Sequence, residues 1–178
     1  MGTLTFAQSQ GPNDVALRYL EEHTTEWGLT NQDISDLELD RYYFGKKEKI
    51  HHFYFVQRHQ GIKVHNAVTS IHVNTKGKAY NVGHRFVANL ASKVNSNHPK
   101  LNQQAAVLAV LDHLEVPSAN FNFESLEKSG HKVSYDKGEI SRADINVDLV
   151  YQEKDGQYIL AWDVSVDPVA QNDYWSIE

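Results

Sequence analysis

A chain of 178 residues suits one domain, or two small halves sharing a core, and is long enough to bury a sizeable interior. Its net charge of −6 arises from interspersed acids and bases with no basic patch, which argues against nucleic acid and anionic membrane as partners, and its apolar runs are too short for a membrane span. Cysteine is absent, which excludes disulfides and thiolate metal sites and suits either the cytosol or a secreted bacterial protein.

In chain order, Met1-Gly2 reads as a start residue plus an added glycine. Thr3 to Ser9 is similar to the tail of a secretory signal, with Ala7 and Ser9 spaced as at a cleavage site. The basic start and apolar core of a signal are missing, so a disordered terminus over residues 1–11 is the alternative. Pro12 with Asn13-Asp14 opens a helix, because proline tolerates the first turn and acids suit the positive end of the helix dipole. Ala16, Leu20, His23 and Trp27 recur at helical spacing and are expected to face the core, with Gly28 as the stop. Thr30 caps a short second turn leading to Ile34 and Leu37. A strand is predicted at about 37–44, followed by a polar loop from Gly45 to Lys49.

Residues 53–73 form the clearest pattern in the chain. Phe53, Tyr54, Phe55 and Val56 suit a half-buried strand, and Gln60-Gly61 supplies a tight turn before Ile62 and Val64. On the return limb Ala67, Thr69, Ile71 and Val73 share one parity while Ser70 and His72 take the other, as in a strand with one buried face. Asn74 to Lys78 is a second turn, and Tyr80, Val82, His84 and Phe86 alternate on the next strand. An Asn/Ser-rich segment with Pro99 reads as a linker over residues 92–101.

Beyond it, Asn102 is an N-cap for a helix striped by Val107, Val110, Leu111 and Leu114, with Pro117 past its end. Ile145, Val147, Leu149 and Tyr151 alternate, Asp155-Gly156 turns the chain, and Tyr158, Leu160, Trp162, Val164 and Val166 are expected as a core-facing strand. Helix-then-strands thus occurs twice, over 12–91 and 102–178.

Ten histidines invite a search for metal chemistry. No H-E-x-x-H occurs, and His113 is followed by Leu114-Glu115-Val116-Pro117, which ends the helix without a second ligand. His51 and His52 are adjacent on a strand and point to opposite faces, whereas His59, His65, His72 and His84 lie on different strands and could converge. Asp144-x-Asn146-x-Asp148 has the spacing of a calcium loop but carries Leu149 where glycine is needed and Asp155 at the twelfth position, so the solvent face of a strand is expected instead. No G-x-S-x-G or phosphate loop is present, and Glu21-Glu22 sit on a helix surface without a desolvating setting. The residues indicate no enzyme activity, no metal and no cofactor.

The run YFVQRHQGIKVHNAV followed by GKAYNVGHRFV closely resembles the propeptide module shared by fungalysin- and thermolysin-type zinc metalloproteases, with the fungalysin branch the better match. The positions carrying the resemblance are Gln57, Arg58, His59, Gly61, Val64, Asn66, Ala67, Gly83, Phe86 and Val87. It is specific over 53–87 and looser to the end of LAWDVSVDP, where residues 102–178 look like a PepSY half. The expected fold is α+β, as two cystatin-like units that each pack a helix on an antiparallel β-sheet.

The resemblance implies a secreted, non-catalytic region that inhibits a zinc metalloprotease and assists its folding, with the catalytic domain as partner in cis or in trans. The H-E-x-x-H half of such an enzyme is absent from this sequence. Candidate protease contacts are His59, Gln60 and Gly61 at an exposed hairpin tip, and Asp173, Tyr174 and Trp175 in the stretch from Asp167 to Glu178 leading toward the cleft. Tyr174 and Trp175 as a last strand packed on the core is the alternative. Gln57, Arg58, Asn66, Gly83 and Phe86 are expected to be structural, with Asn66 satisfying backbone groups at a bulge. Two rival classes remain open, a stand-alone secreted peptide- or ligand-binding module and an adhesive domain of a cell-surface protein.

Overall fold

The fold is mixed α+β, with few helices and mostly antiparallel strand ladders, in a computed structural model that describes residues 11–119, 121–169 and 175–177. The chain divides into two units, Met1–Ser92 and Lys93–Glu178. Among the described residues no helix is long and apolar enough to cross a membrane.

The first unit begins with α1 (Pro12–His23), whose first turn is closed by the Gly11 N–H donating to the Asp14 carboxylate at 3.2 Å. Ala16 and Leu20 are buried. The helix stops at His23, short of the expected Gly28. The Thr24 hydroxyl donates to the Glu21 carbonyl at 2.6 Å, and this local bond competes with a further helical turn. A turn then carries the chain through Gly28, whose φ of 68° favours glycine. Trp27 still reaches inward, stacked on His84 with ring centroids 4.3 Å apart.

After α2 (Asn31–Ile34), four antiparallel strands follow in spatial order: β1 (Glu38–Gly45), β2 (Ile50–His59), β3 (Ile62–Asn74) and β4 (Ala79–Gly83). Phe53, Phe55, Ile71 and Val73 face Ala16, Leu20, Leu29 and Phe86 to form the core of this unit. The fourth strand is shorter than the alternation of Tyr80 to Phe86 predicts. It ends at Gly83, where a Cβ would lie 2.9 Å from the Ser70 hydroxyl of the paired strand. Phe86 is buried all the same, beyond the ladder.

What draws the chain off the ladder is a buried polar cluster. Gln57, on β2, is fully buried; its Oε1 accepts from the Val87 N–H at 2.7 Å, and its Nε2 donates to the carbonyls of Val87 at 2.9 Å and Asp33 at 3.1 Å. The Asp33 carboxylate, in α2, accepts from the Thr30 N–H and hydroxyl and from the N–H groups of Asn89 and Leu90.

In the second unit the Asn102 side chain caps α3 (Gln103–His113) by accepting from the Ala105 N–H at 2.8 Å. The sheet order is β5 (Ser125–Ser129), β6 (Lys132–Tyr135), β7 (Ile145–Lys154), β8 (Gln157–Val166) and β9 (Trp175–Ile177), all antiparallel. Val107, Val110 and Leu111 of the helix pack with Ile145, Val147, Val164 and Val166. The β5–β6 hairpin has no counterpart in the sequence reading, because β5 is exposed at every position and shows no apolar alternation. Within the segment read as linker, residues 93–95 bond to β8: Tyr158 N–H donates to Lys93 O and Asn95 N–H to Tyr158 O. Tyr158, Leu160 and Trp162, expected in the core, are only half-buried; the core parity of β8 is filled at Val164 and Val166 alone.

Burial by itself raises the Asp33 pKa, but the backbone bonds from Thr30, Leu90 and Asn89 and the Thr30 hydroxyl outweigh it and hold the carboxyl below its ordinary 3.8. The folded state therefore binds this proton less readily than the unfolded chain, so the stabilisation is complete above pH 3.8 and is lost as pH falls through the folded value. Asp33→Asn is expected to cost on the order of 1–3 kcal/mol at neutral pH. Thermal melts should also show a shallower loss of stability below about pH 4 in that variant than in the parent chain.

Candidate functional site

The β2–β3 hairpin turns through Gln60 and Gly61, with φ of 53° and 77°, while His59 and Ile62 pair across the closing rung. Two successive left-handed residues match the right-handed twist of the flanking strands, which fixes the register. The tip is tied down from both sides. The Gly61 N–H donates to the Asp36 carboxylate at 2.6 Å, and Arg58 Nη1 donates to the Gly61 carbonyl at 2.8 Å while the same guanidinium pairs with Glu38.

The tip, expected to be exposed, is so only in part. Gln60 is exposed and Gly61 half-buried, but His59 is only 8 % exposed because its side chain shares the inward face of the closing rung with buried Ile62. Asn66 stands at a register shift between the Val56–Val68 and Arg58–Lys63 pairs, exposed, with φ of 59°. The residue at this bulge takes a left-handed backbone, which asparagine tolerates better than most side chains.

At the other end of the chain, Asp173 and Tyr174 lie outside the described residues. Trp175 begins β9 and pairs with Val166. The hairpin tip thus belongs to the first unit and Trp175 to the second.

The sequence reading missed a cluster on the face of the first unit's sheet opposite the core. Cross-strand register aligns Tyr43 of β1 with His52 of β2 and His72 of β3. His52 and His72 approach Nδ1 to Nδ1 at 2.9 Å, Tyr43 stacks on His52 at 4.5 Å, and the Arg41 guanidinium lies 4.1 Å over the Tyr54 ring. The Tyr43 and Tyr54 hydroxyls are 3.4 Å apart, and Glu48 Oε1 stands 3.4 Å from His52 Nε2. In the histidine pair one ring must donate and the other accept, so the contact requires at least one neutral acceptor nitrogen. Burial, then the neighbouring His52, push the His72 pKa below its ordinary 6.5; burial does the same to His84.

The sequence does show His52 and Tyr54 out of phase with Phe53 and Phe55, yet only the strand register reveals that they meet His72. Of the four histidines that could have converged, His84 goes elsewhere, to Trp27 and the Thr69 hydroxyl. Among the described residues no three His, Asp or Glu side chains are grouped as metal ligands. β1 exposes Tyr43 of this cluster and, on the other face where they pair with Phe55, Phe53 and His51, Leu39, Tyr42 and Phe44, by 40–47 % each. Among the described residues its only strand partner is β2.

Residues 39–86 match the family model of the Fungalysin/Thermolysin Propeptide Motif. The match runs from β1 through the clamped hairpin and β4 to Phe86, and so supports a propeptide region of a fungalysin- or thermolysin-type protease over the segment where the sequence motif resembled one. No curated protein matches the chain.

If Asn66 serves the bulge through its backbone, Asn66→Gly should melt close to the parent chain. Asn66→Ala should lose about 1 kcal/mol from the left-handed conformation. An unchanged melting temperature for Asn66→Ala would overturn that role. For His72 and His84 the folded state disfavours protonation, so stability is complete above pH 6.5 and declines as pH falls below it. Melting curves from pH 7.5 to 5 should accordingly be flatter for His72→Gln and for His84→Gln than for the parent.

Proposed function

We propose that this chain is a secreted, non-catalytic propeptide-like region that inhibits a fungalysin-type zinc metalloprotease and assists its folding, acting on the catalytic domain in cis or in trans. The observation that carries the reading is the propeptide-motif match over 39–86, falling on a sheet whose turn is held rigid by Asp36 and Arg58. In this reading the two halves, 12–91 and 102–178, are cystatin-like units, the second of PepSY type, with 92–101 between them.

The physical basis for inhibition is contact area and preorganisation. A large complementary surface that is ordered before docking loses little conformational entropy on binding. The clamped tip offers Gln60 for such contact, with Gly61 setting its direction. The exposed aromatic residues of β1 add anchors of the type that dominate interface energies. The stretch 167–178 is the segment assigned to the cleft, with Asp173, Tyr174 and Trp175 as contacts.

The test is titration of a purified fungalysin-type protease with the full chain. Sub-micromolar inhibition is expected, weakened at least about tenfold, or roughly 1.4 kcal/mol, by the double change Asp173→Ala with Tyr174→Ala. Substitution is preferable to truncation here because removing 167–178 also removes β9 and its pairing with β8. A well-folded chain that neither inhibits the protease nor raises its refolding yield would reject the proposal in favour of a stand-alone peptide- or ligand-binding module.

A further inference from the structure

The second unit contains a cavity of about 450 Å³ between α3 and β8, within the size range of small-molecule sites. Its origin lies in the side chains at that contact. The helix lines it with the small side chains of Ala106 and Ala109 beside Val110, which leaves open space in front of Leu160 and along part of the Trp162 ring, although Trp162 also packs against the core. Leu160 and Trp162 have the same parity as buried Val164 and Val166, yet both are only half-buried. The strand therefore presents core-type residues to an open slot rather than to a closed core.

The walls are fixed before anything enters. Trp162 Nε1 donates to the Leu101 carbonyl at 2.9 Å, which leaves its ring as an apolar surface. The Leu160 N–H donates to Asn95 Oδ1 at 2.9 Å, and Val94 bridges to Tyr158, so segment 94–101 is held as a second wall along β8. The charge of the lining is one-sided. Among the described residues that line it, Lys100 is a cation, His98 and His113 add ring nitrogens and none is acidic, although the chain has 23 acids against 17 lysines and arginines.

An apolar slot bordered by nitrogen donors and a cation, and free of carboxylates, is complementary to an apolar body ending in an anion. We propose that this cavity binds a small apolar carboxylate, its hydrocarbon or aromatic part against Leu160, Trp162 and Val110 and its carboxylate toward Lys100 and the two histidines. That chemistry has two sources, a free medium-chain carboxylic acid and the carboxy terminus of a peptide with a bulky apolar last residue. The inference is independent of the protease reading, because every lining residue lies in the second unit and outside the matched 39–86.

Calorimetric titration of the full chain with decanoate, with N-acetyl-Leu-Phe and with decanol tests it. One-site binding of either carboxylate is expected, weakened at least about tenfold by Ala109→Phe, which fills the slot from an exposed helix position. Lys100→Ala, at an exposed residue, should weaken the carboxylates severalfold and leave any decanol binding unchanged. Binding of decanoate alone assigns the free acid, of the dipeptide alone the peptide terminus, and of both their shared chemistry. The proposal is overturned if neither carboxylate binds up to about 1 mM, or if Ala109→Phe, folded by its melting curve, binds as tightly as the parent. Decanol binding as tight as decanoate overturns the carboxylate assignment. Should Ala109→Phe fail to fold, equal affinity in Lys100→Ala does the same.

Discussion

The first unit depends on one buried amide. Gln57 has no contact with solvent, and a primary amide left unpaired in such a place costs on the order of 1–3 kcal/mol. Its partners are backbone groups of α2 and of the segment after β4, and Asp33 completes the arrangement by collecting donors from both sides. A strand, a short helix and a connecting segment are thereby held at set distances by charge-assisted and amide hydrogen bonds. A four-residue helix such as α2 has too few internal bonds to persist by itself, so its order comes from this cluster.

The same rigidity extends to the hairpin. With Gln57 anchored on one side, the neighbouring Arg58 reaches both the turn carbonyl and Glu38, and Asp36 takes the turn N–H. Adjacent residues on β2 thus divide the work by parity, Gln57 toward the interior and Arg58 toward the rim. The turn that carries Gln60 is thereby tied to β1 and to the segment before it. The second unit uses the same turn geometry, left-handed at Asp155 and Gly156, to join β7 to β8.

The two faces of the first sheet differ in chemistry as well as in burial. The inward face is aromatic and aliphatic, with Phe53, Phe55, Ile71 and Val73. The outward face stacks Tyr43, His52, Tyr54 and His72 with Arg41 and Glu48 alongside. On that face burial, then the neighbouring His52, hold the His72 pKa below its ordinary 6.5, and burial alone does the same to His84 beside Trp27.

The helices of both units, the Gln60-Gly61 and Asp155-Gly156 turns and the buried parity of β3 were legible in the sequence, because capping residues, glycine turns and period-two burial are local signals. The resemblance over 53–87 was legible for the same reason, its residues being nearly contiguous. The burial of His59 was not, since it follows from which face the closing rung presents. The β5–β6 hairpin was missed because β5 is exposed throughout and carries no periodicity, while β6 buries only Val133 and Tyr135, too short an alternation to stand out. The partners of Gln57 lie 24 and 30 residues away, and the histidine pair spans 20, so no local pattern encodes either contact. Leu160 and Trp162 read as core from their alternation, and only the small residues of a helix some fifty positions earlier left them facing a cavity. Local chemistry determined the elements and their turns. Register and packing, which depend on residues distant in the chain, decided where the polar groups are paired and where the hollow lies.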